Sequence, residues 1–230
     1  MSAVYFLSGM DALLSIYTDL FALYGPQGWW PLGKGYHPGD YSPPRAKAGI
    51  FEVYLGAVLT QNSSWNGASM AIGELKRRSC ISASALLALP AEELEQAIRP
   101  ARYWKQKARY LRGLAEFFMA LRGRIPSREE LLAQKGIGQE TADSILLYAY
   151  HQPVFVVDTY TRRFFAALGI LTGRESYAEI QNMFMNALPR DAALFNEYHA
   201  LIVRHARAYY SRKPHGVGDP LGSKHSESEA

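Results

Sequence analysis

The sequence contains only one cysteine, Cys80, among 230 residues. A single thiol cannot form an intramolecular disulfide bond, nor can it supply the thiolates of an iron–sulfur cluster or of a structural zinc site. Long apolar runs are also missing: Asp11 and Asp19 interrupt the apolar start, no basic leader precedes them, and no uncharged apolar stretch approaches the ~20 residues of a membrane-spanning helix. We therefore expect a cytoplasmic protein with no membrane partner.

Neither sign of charge dominates the sequence, since 25 Lys and Arg oppose 21 Asp and Glu and leave a net charge of +4. This balance permits an anionic partner but does not require one. With 48% hydrophobic and 20% charged residues, the composition excludes a wholly disordered or collagen-like chain. No repeat occurs at the spacing of solenoid proteins. The length suits one large domain or two small ones.

Apolar residues recur at three-to-four spacing along most of the chain and predict an all-α fold. Helix starts are clearest at Ser127-x-x-Glu130 and Ser176-x-x-Glu179, where serine and glutamate form capping boxes. A strand-like apolar run occupies only residues 154–157, and one short run cannot make a sheet. The predicted helices are 11–24, 50–60, a helix directly after residue 64, 90–98, 104–121, 127–134, 139–150, 159–168, 177–187 and 191–210.

Residues 28–45 are rich in Gly, Pro and aromatic residues, which predicts a loop that carries large rings. The rings and the proline at its start are Trp29, Trp30 and Pro31. A second polar interruption, residues 61–64, separates two predicted helices and is followed by Trp65. From about residue 222 to the end the chain is polar, which predicts a disordered tail.

Basic residues concentrate between Arg99 and Arg124, where eight of them accompany a single acid, Glu116. The members of this basic cluster are Arg99, Arg102, Lys105, Lys107, Arg109, Arg112, Arg122 and Arg124. Tyr103 and Trp104 lie among them, and such an interleaving of cations with aromatic rings suits nucleic acid. A solvated helix face is the alternative interpretation, because runs of like charge are common on protein surfaces.

A short turn with two glycines, Lys135-Gly136-Ile137-Gly138, joins two predicted helices. Exposed backbone amides and the positive end of the second helix dipole give such a turn the means to hold a phosphate. The residues expected to do so are Lys135, Gly136, Gly138 and Gln139. An ordinary helix–helix turn has the same glycines, so the pattern alone leaves both interpretations open.

Asp158 stands between the apolar run 154–157 and the predicted helix 159–168. An aspartate in that place is typical of a helix N-cap. The position also suits a catalytic carboxylate, because apolar surroundings tune its proton affinity while the helix end favours its charged form. Both roles are compatible in one residue.

The glycine turn, with an aspartate twenty residues after Gly138, resembles the signature of the helix–hairpin–helix (HhH-GPD) superfamily of DNA glycosylases, which includes endonuclease III. The resemblance runs from about residue 50 to about residue 214, and residues 55–62 and 204–207 contribute to it. The aromatic residues and proline at 29–31, together with Trp65, are similar to the 3-methyladenine branch of this superfamily.

This resemblance implies two helical lobes that flank a cleft. Residues 46–151 would form the lobe that ends in the helix–hairpin–helix. Residues 1–45 together with 152–230 would form the second lobe, which carries Asp158.

The resemblance also implies a role for each candidate residue. Asp158 would be catalytic, stabilising the developing sugar cation and activating water. Gln61 or Asn62 would intercalate into the space that the flipped-out base leaves. The base pocket would be lined by Trp29, Trp30, Pro31 and Trp65.

Two departures from the family pattern bear on the chemistry. The lyase branch places a nucleophilic lysine two residues after the second glycine, where this chain has Glu140, and a carboxylate cannot form a Schiff base. No cysteine follows Arg207, so we expect no iron–sulfur cluster and no other metal site. The sequence leaves open whether a monovalent cation binds the carbonyls of the hairpin.

These features predict a monofunctional DNA N-glycosylase of base excision repair that removes alkylated purines, of the 3-methyladenine type, from damaged double-stranded DNA. We expect it to be monomeric and associated with the nucleoid. Two alternatives stay open: an endonuclease III-like lyase for oxidised pyrimidines or abasic sites that uses Lys135 or Lys213, and a non-catalytic module that binds damaged DNA. Glu140 disfavours the first alternative, and Asp158 disfavours the second.

Overall fold

The computed structural model describes residues 9–32 and 35–222. This part of the chain is helical and contains no β-strand, although an isolated antiparallel bridge joins Leu32 and Gly35. The prediction of an all-α fold is therefore confirmed. The helices are α1 (Gly9–Tyr24), α2 (Lys47–Leu59), α3 (Trp65–Arg77), α4 (Ala83–Ala88), α5 (Ala91–Ala97), a 3-10 helix (Arg99–Ala101), α6 (Trp104–Ala120), α7 (Arg128–Leu132), α8 (Gln139–Tyr150), α9 (Thr159–Ala167), α10 (Tyr177–Ala187) and α11 (Ala192–Tyr209).

Most predicted helices begin and end within a few residues of the observed ones. Both capping boxes form, since the Ser127 and Ser176 hydroxyls accept from the amides of Glu130 and Glu179, whose carboxylates reach back to the serine amides. The sequence analysis did not predict α4, because its six residues are too few to show the spacing of apolar residues that marks a helix. The predicted tail lies outside the described residues from 223 onward. Within the described ranges, no helix is long and apolar enough to cross a membrane.

The described chain divides into two compact units. Unit 1 comprises residues 9–29, 36–41 and 153–222, and unit 2 comprises residues 30–32, 35 and 42–152. Residues 42–45 and Trp30 thus group with the helices that precede residue 152, whereas the expected lobe boundaries assign them to the other part of the chain. Trp30 groups with unit 2 because its ring packs against Tyr148 of α8, with 5.2 Å between ring centroids.

Unit 2 is built around α2, whose residues 51–59 are all buried. The helix packs against α3, α6 and α8, and a helix that is enclosed in this way must be apolar nearly all round. Gly56 is required at its middle, because a Cβ there would lie 2.6 Å from the Trp30 ring. The acidic side chain of α2, Glu52, is neutralised by Lys76 of α3 at 2.6 Å.

Lys107 of α6 lies inside unit 2, with 3% of its surface exposed. Its Nζ donates to the carbonyl oxygen of Leu59, at the end of α2, at 2.7 Å and to that of Ala101, in the 3-10 helix, at 2.6 Å. Burial lowers the pKa of this ammonium to about 8. A surface role in the basic cluster is therefore wrong for Lys107, because its ammonium satisfies carbonyls that helix ends leave without an amide donor.

Unit 1 has an aromatic core between α9, α10 and α11. Phe155 stacks on Phe184 with 3.9 Å between ring centroids, and Tyr198 meets Phe184 edge-on at 5.7 Å. The Tyr198 hydroxyl donates to the Leu13 carbonyl at 2.8 Å, which fastens α1 to α11. Residues 154–157, the apolar run before α9, feed Phe155 into this core and form no strand.

A buried polar network holds the segment after α11. The Asp219 carboxylate accepts hydrogen bonds from the Tyr210 hydroxyl and, at 2.8 Å, from the Leu221 amide, and it lies 3.0 Å from Nε2 of His205. The other nitrogen of His205 bonds to the Tyr24 hydroxyl of α1 at 2.9 Å. Burial raises the pKa of Asp219, but these hydrogen bonds outweigh that effect and hold it below its ordinary value. The residues of this segment cannot supply cluster thiolates, and the network fastens it to α1 and α11.

We expect Lys107→Met to lower the free energy of unfolding by about 1–3 kcal/mol, because two buried carbonyl oxygens lose their donor. Urea denaturation at pH 7 measures the loss. Lys105→Met is the matched control, since Lys105 is exposed on the same helix, and its substitution should change stability by less than about 0.5 kcal/mol. Equal losses in the two variants would contradict the role assigned to Lys107.

The lowered pKa also gives Lys107 a pH dependence of known sign. Between about 8 in the folded chain and the ordinary value of 10.5, the unfolded chain holds a proton that the folded chain has released. The free energy of unfolding of the wild type, relative to that of Lys107→Met, should therefore increase as the pH is raised from about 8 to 10.5. A constant difference would show that the ammonium is not desolvated.

Candidate functional site

The glycine turn between α7 and α8 forms a tight hairpin on unit 2. Gly136 has a φ of +85°, and a Cβ there would lie 2.3 Å from the Tyr110 ring, so this position requires glycine. Gly138 is the N-cap of α8, with a φ of −96° and open space where a Cβ would stand. Lys135, Gly138 and Gln139 are exposed. The hairpin thus presents the first amides of α8 and one ammonium to solvent, as a phosphate site requires.

An ion pair beneath the hairpin joins α7 to α8. Asp143 is completely buried, and its two oxygens accept from Nε and Nη2 of Arg128 at 2.7 and 2.9 Å. Such a bidentate pair fixes orientation as well as distance. Sequence reasoning missed both residues, although a lone acid within the apolar stretch 141–149 signals a buried polar contact.

The loop after α2 is tied to the hairpin by one side chain. Nε2 of Gln61 donates to the Gly136 carbonyl at 2.9 Å and to the Thr141 hydroxyl at 2.8 Å. Asn62, the next residue, is exposed and has a φ of +47°. Of the two candidates for intercalation, Gln61 is therefore anchored and Asn62 is at the surface. The Gly136 carbonyl of the hairpin thus already accepts a hydrogen bond from Gln61.

The four candidates for a base pocket fall into different environments. Trp30 is 7% exposed and meets Trp65 edge-on at 5.6 Å between ring centroids, so its ring belongs to the core of unit 2. Trp65 and Pro31 are half-buried in the same unit. Trp29 belongs to unit 1, where its ring lies 5.7 Å from that of Tyr36. Unit 2 therefore contains three of the four candidates, of which Trp30 and Trp65 are in contact.

Asp158 lies at the start of α9 in unit 1 and caps that helix. Its Oδ1 accepts from the Thr161 amide at 2.7 Å and from the Thr161 hydroxyl at 2.9 Å. The N-cap interpretation is thus confirmed. Thr161 is buried and was missed by sequence reasoning, although it stands at the third helical position, where a capping partner is found. Both capping bonds end on Oδ1, so Oδ2 takes no part in the cap.

Oδ2 of Asp158 faces α11, which supplies a histidine. Nε2 of His199 lies 3.9 Å from Oδ2, and the two side chains are 8% and 13% exposed. Burial lowers the pKa of His199, while the charge of Asp158 acts in the opposite direction. A neutral imidazole therefore adjoins the candidate catalytic carboxylate near pH 7.

The basic cluster separates into members with internal partners and members at the surface. The Arg112 guanidinium donates to the carbonyls of Leu89 and Leu87 at 2.9 and 3.1 Å, and Arg124 pairs with Glu130 at 2.7 Å. An open cavity of about 620 Å³ is lined by four cations and two rings, Arg99, Arg102, Lys105, Arg109, Tyr103 and Trp104. No acid joins this lining, which suits a nucleic-acid strand.

Glu140 and Cys80 limit the chemistry of unit 2. Glu140 is exposed in the first turn of α8, beside the hairpin. Cys80 is buried, and its thiol donates to the Arg78 carbonyl at 3.2 Å. Among the residues that the structure describes, no group of three or more His, Cys, Asp and Glu side chains is placed to hold a metal ion.

Comparisons with known proteins point to one family. The model for "HhH-GPD superfamily base excision DNA repair protein" matches residues 55–190. A protein of Methanocaldococcus jannaschii named as a DNA repair glycosylase is 36% identical over 214 residues, or 88% of this chain and 90% of that protein. Endonuclease III of Sulfolobus acidocaldarius is 31% identical over 171 residues, or 72% of this chain and 76% of that protein. The crystal structure of H. pylori 3-methyladenine DNA glycosylase (MagIII) bound to 1,N6-ethenoadenine has a TM-score of 0.68 and 28% identity, and the match covers 88% of this chain and 98% of that one.

We expect alanine at the two hairpin glycines to separate folding from binding. Gly136→Ala should lower the melting temperature by at least about 4 °C, because the methyl group meets the Tyr110 ring and the residue is held at positive φ. Gly138→Ala should change the melting temperature by less than about 3 °C. It should nevertheless weaken affinity for duplex DNA about tenfold, because the methyl group stands before the first amides of α8. Thermal denaturation and fluorescence anisotropy measure the two effects.

Gly113→Ala serves as the control, since a Cβ at this position in α6 meets nothing within 4 Å. It should leave DNA affinity unchanged and raise stability slightly, as alanine does in a helix interior. Unchanged DNA affinity in a well-folded Gly138→Ala variant would mean that the hairpin is only a helix–helix turn.

Proposed function

Because the chain belongs to the HhH-GPD superfamily of base excision DNA repair proteins and is a DNA glycosylase, we propose that it excises alkylated purines, with 3-methyladenine as the model substrate, by hydrolysing the N-glycosidic bond. The observation that carries the proposal is that the two oxygens of Asp158 differ in their contacts. Oδ1 accepts both hydrogen bonds that cap α9, and Oδ2 takes no part in the cap. The 28% identity to the H. pylori 3-methyladenine glycosylase supports the substrate class.

Asp158 is suited to this reaction because an alkylated purine is already a good leaving group. Methylation makes the base cationic, so the bond from the base nitrogen to C1′ breaks without strong acid catalysis and its electron pair goes to the base. The sugar then develops positive charge, which an ionised Asp158 stabilises. Water forms the new bond to C1′, and its proton passes to the carboxylate.

Binding of duplex DNA is assigned to unit 2 in this proposal. The hairpin amides and Lys135 hold backbone phosphates, and the exposed cations of the basic cluster extend the contact. The damaged nucleotide leaves the stack to be hydrolysed. The exposed Asn62 fills the space it vacates, while Gln61 keeps the loop attached to the hairpin. All of these groups belong to one chain, so the proposed binding by a monomer needs no second copy.

Trp65 is the ring that we assign to the cationic base. A methylated purine stacked on an indole gains roughly 0.5–2 kcal/mol from the cation–π interaction. Trp30 holds Trp65 from the core of unit 2 through their edge-on contact, and Pro31 belongs to the same unit.

The identity of 31% to an endonuclease III favours one further candidate, a glycosylase with lyase activity on oxidised pyrimidines or abasic sites. Glu140 opposes it, because a carboxylate takes the place next to the hairpin where an amine is needed. The exposed Lys135 would have to serve as the nucleophile instead.

Methylated duplex DNA with one labelled strand distinguishes these functions. We expect free 3-methyladenine in solution and a labelled strand that breaks only after alkali treatment. Strand breakage without alkali, together with a borohydride-trapped covalent complex, would support the lyase. Tight binding without release of any base would support a non-catalytic module.

Asp158→Asn should reduce base release by about a hundredfold or more, because the amide carries no charge to stabilise the sugar cation. Affinity for an abasic-site analogue should be kept, since the amide oxygen still accepts from Thr161. The matched control is Asp191→Asn, which makes the same change at the N-cap of α11 and should leave base release intact. A loss below about tenfold in Asp158→Asn, or an equal loss in both variants, would contradict the catalytic role.

Trp65→Leu should weaken transition-state binding of a cationic base by about 1–2 kcal/mol, because leucine keeps apolar volume but has no π face. Release of neutral hypoxanthine should fall less, and Trp65→Phe should lie between the wild type and Trp65→Leu for 3-methyladenine. The measurement is kcat/KM for both bases. Equal losses on both bases, with a matching drop in melting temperature, would make Trp65 a core residue only.

A further inference from the structure

The half-buried carboxylate of Asp158, at the start of α9, adjoins a buried imidazole of α11, that of His199. Nε2 of His199 lies 3.9 Å from Oδ2 of Asp158. This separation is too long for a hydrogen bond and short enough for a strong electrostatic effect. It also falls on the carboxylate oxygen that the capping bonds from Thr161 do not use.

Asp158 is a charged group that acts directly on His199, and it opposes the effect of burial. On its own helix, Glu197 accepts from the Gln27 amide at 2.8 Å and bonds to the Tyr41 hydroxyl. On α1, which packs against α11, Tyr17 meets Tyr198 and Tyr24 meets His205. Burial lowers the pKa of His199, and Asp158 raises it in opposition. The net effect lowers the pKa of His199, so its ring is harder to protonate than that of an ordinary histidine.

We propose that His199 is a positioning residue for Asp158, whose neutral imidazole holds Oδ2 toward the sugar and whose protonation switches the carboxylate off. The inference rests on the proposed glycosylase function. It attributes the loss of glycosylase activity at low pH to a residue that does not touch the substrate.

The geometry explains both halves of the proposal. Oδ1 is fixed by the amide and hydroxyl of Thr161, and the His199 ring lies on the other side of the carboxylate, 3.9 Å from Oδ2 and close enough to act on it electrostatically. Contacts of this kind are often long in the free enzyme and tighten when substrate binds. An imidazolium in the same place would offset the negative charge that the sugar cation needs. Activity should therefore fall as the pH drops through the pKa of His199.

The first test needs no substrate. The imidazole of His199 is titrated by NMR in the wild type and in Asp158→Asn. Removing the carboxylate charge should lower the pKa of His199 by about one unit or more, because a favourable charge at 3.9 Å is lost. An unchanged value would overturn the pairing of these two residues.

The second test compares His199→Gln, which keeps a neutral donor but cannot titrate, with His199→Leu, which keeps neither property. Base release from methylated DNA is followed between pH 4.5 and 8. We expect His199→Leu to lose about tenfold in kcat with KM unchanged, and His199→Gln to keep more activity. In both variants the midpoint of the acid limb should move down by at least about half a unit, since the titrating ring is gone.

The outcomes separate this inference from the function on which it rests. If the His199 variants melt at a lower temperature but keep the wild-type midpoint of the acid limb, the positioning role is overturned and the glycosylase function is unaffected. A wild type that releases no alkylated base, while the NMR coupling is intact, would overturn the proposed function and the catalytic part of the inference together. A shifted midpoint with partial rescue by glutamine supports both.

Discussion

The burial of α2 is the constraint on which unit 2 depends. Residues 51–59 are all enclosed, so the helix cannot end in water, and the ammonium of Lys107 bonds its last carbonyl instead. The following loop therefore starts from a fixed point. Gln61 extends from it to the Gly136 carbonyl and the Thr141 hydroxyl. Core packing and the proposed phosphate site are in this way parts of one continuous set of contacts.

In unit 1 the corresponding constraint is the carboxylate of Asp158, whose two oxygens have different neighbours. Capping α9 orders the Asp158 side chain through Thr161, so the helix end itself supplies the orientation that a catalytic carboxylate needs. The other oxygen lies against His199, which burial keeps neutral. The helix cap and the proposed chemistry therefore use different oxygens of one group. The Asp219 network with His205 holds the end of α11 that follows.

The sequence by itself determined the features that depend on residues within about four positions of one another. The capping boxes at Ser127 and Ser176, the cap at Asp158 and the glycine turn follow from local geometry, because a side chain reaches the backbone amide two or three residues ahead. The DNA glycosylase family was readable for the same reason, since the glycine turn and the aspartate twenty residues after Gly138 are facts of spacing.

Only the tertiary structure decided what each side chain does once it meets a distant partner. Lys107 belongs to a basic run in the sequence, and the carbonyl that it binds lies 48 residues earlier. Arg128 donates to Asp143, which lies 15 residues later in the chain. His199 of α11 lies beside Asp158 at the start of α9. Trp30 is in a loop rich in glycine and proline, yet its ring is core because Gly56 leaves room for it. Periodicity carries no information about such partners, because burial depends on which elements pack together and not on the residues next in the chain.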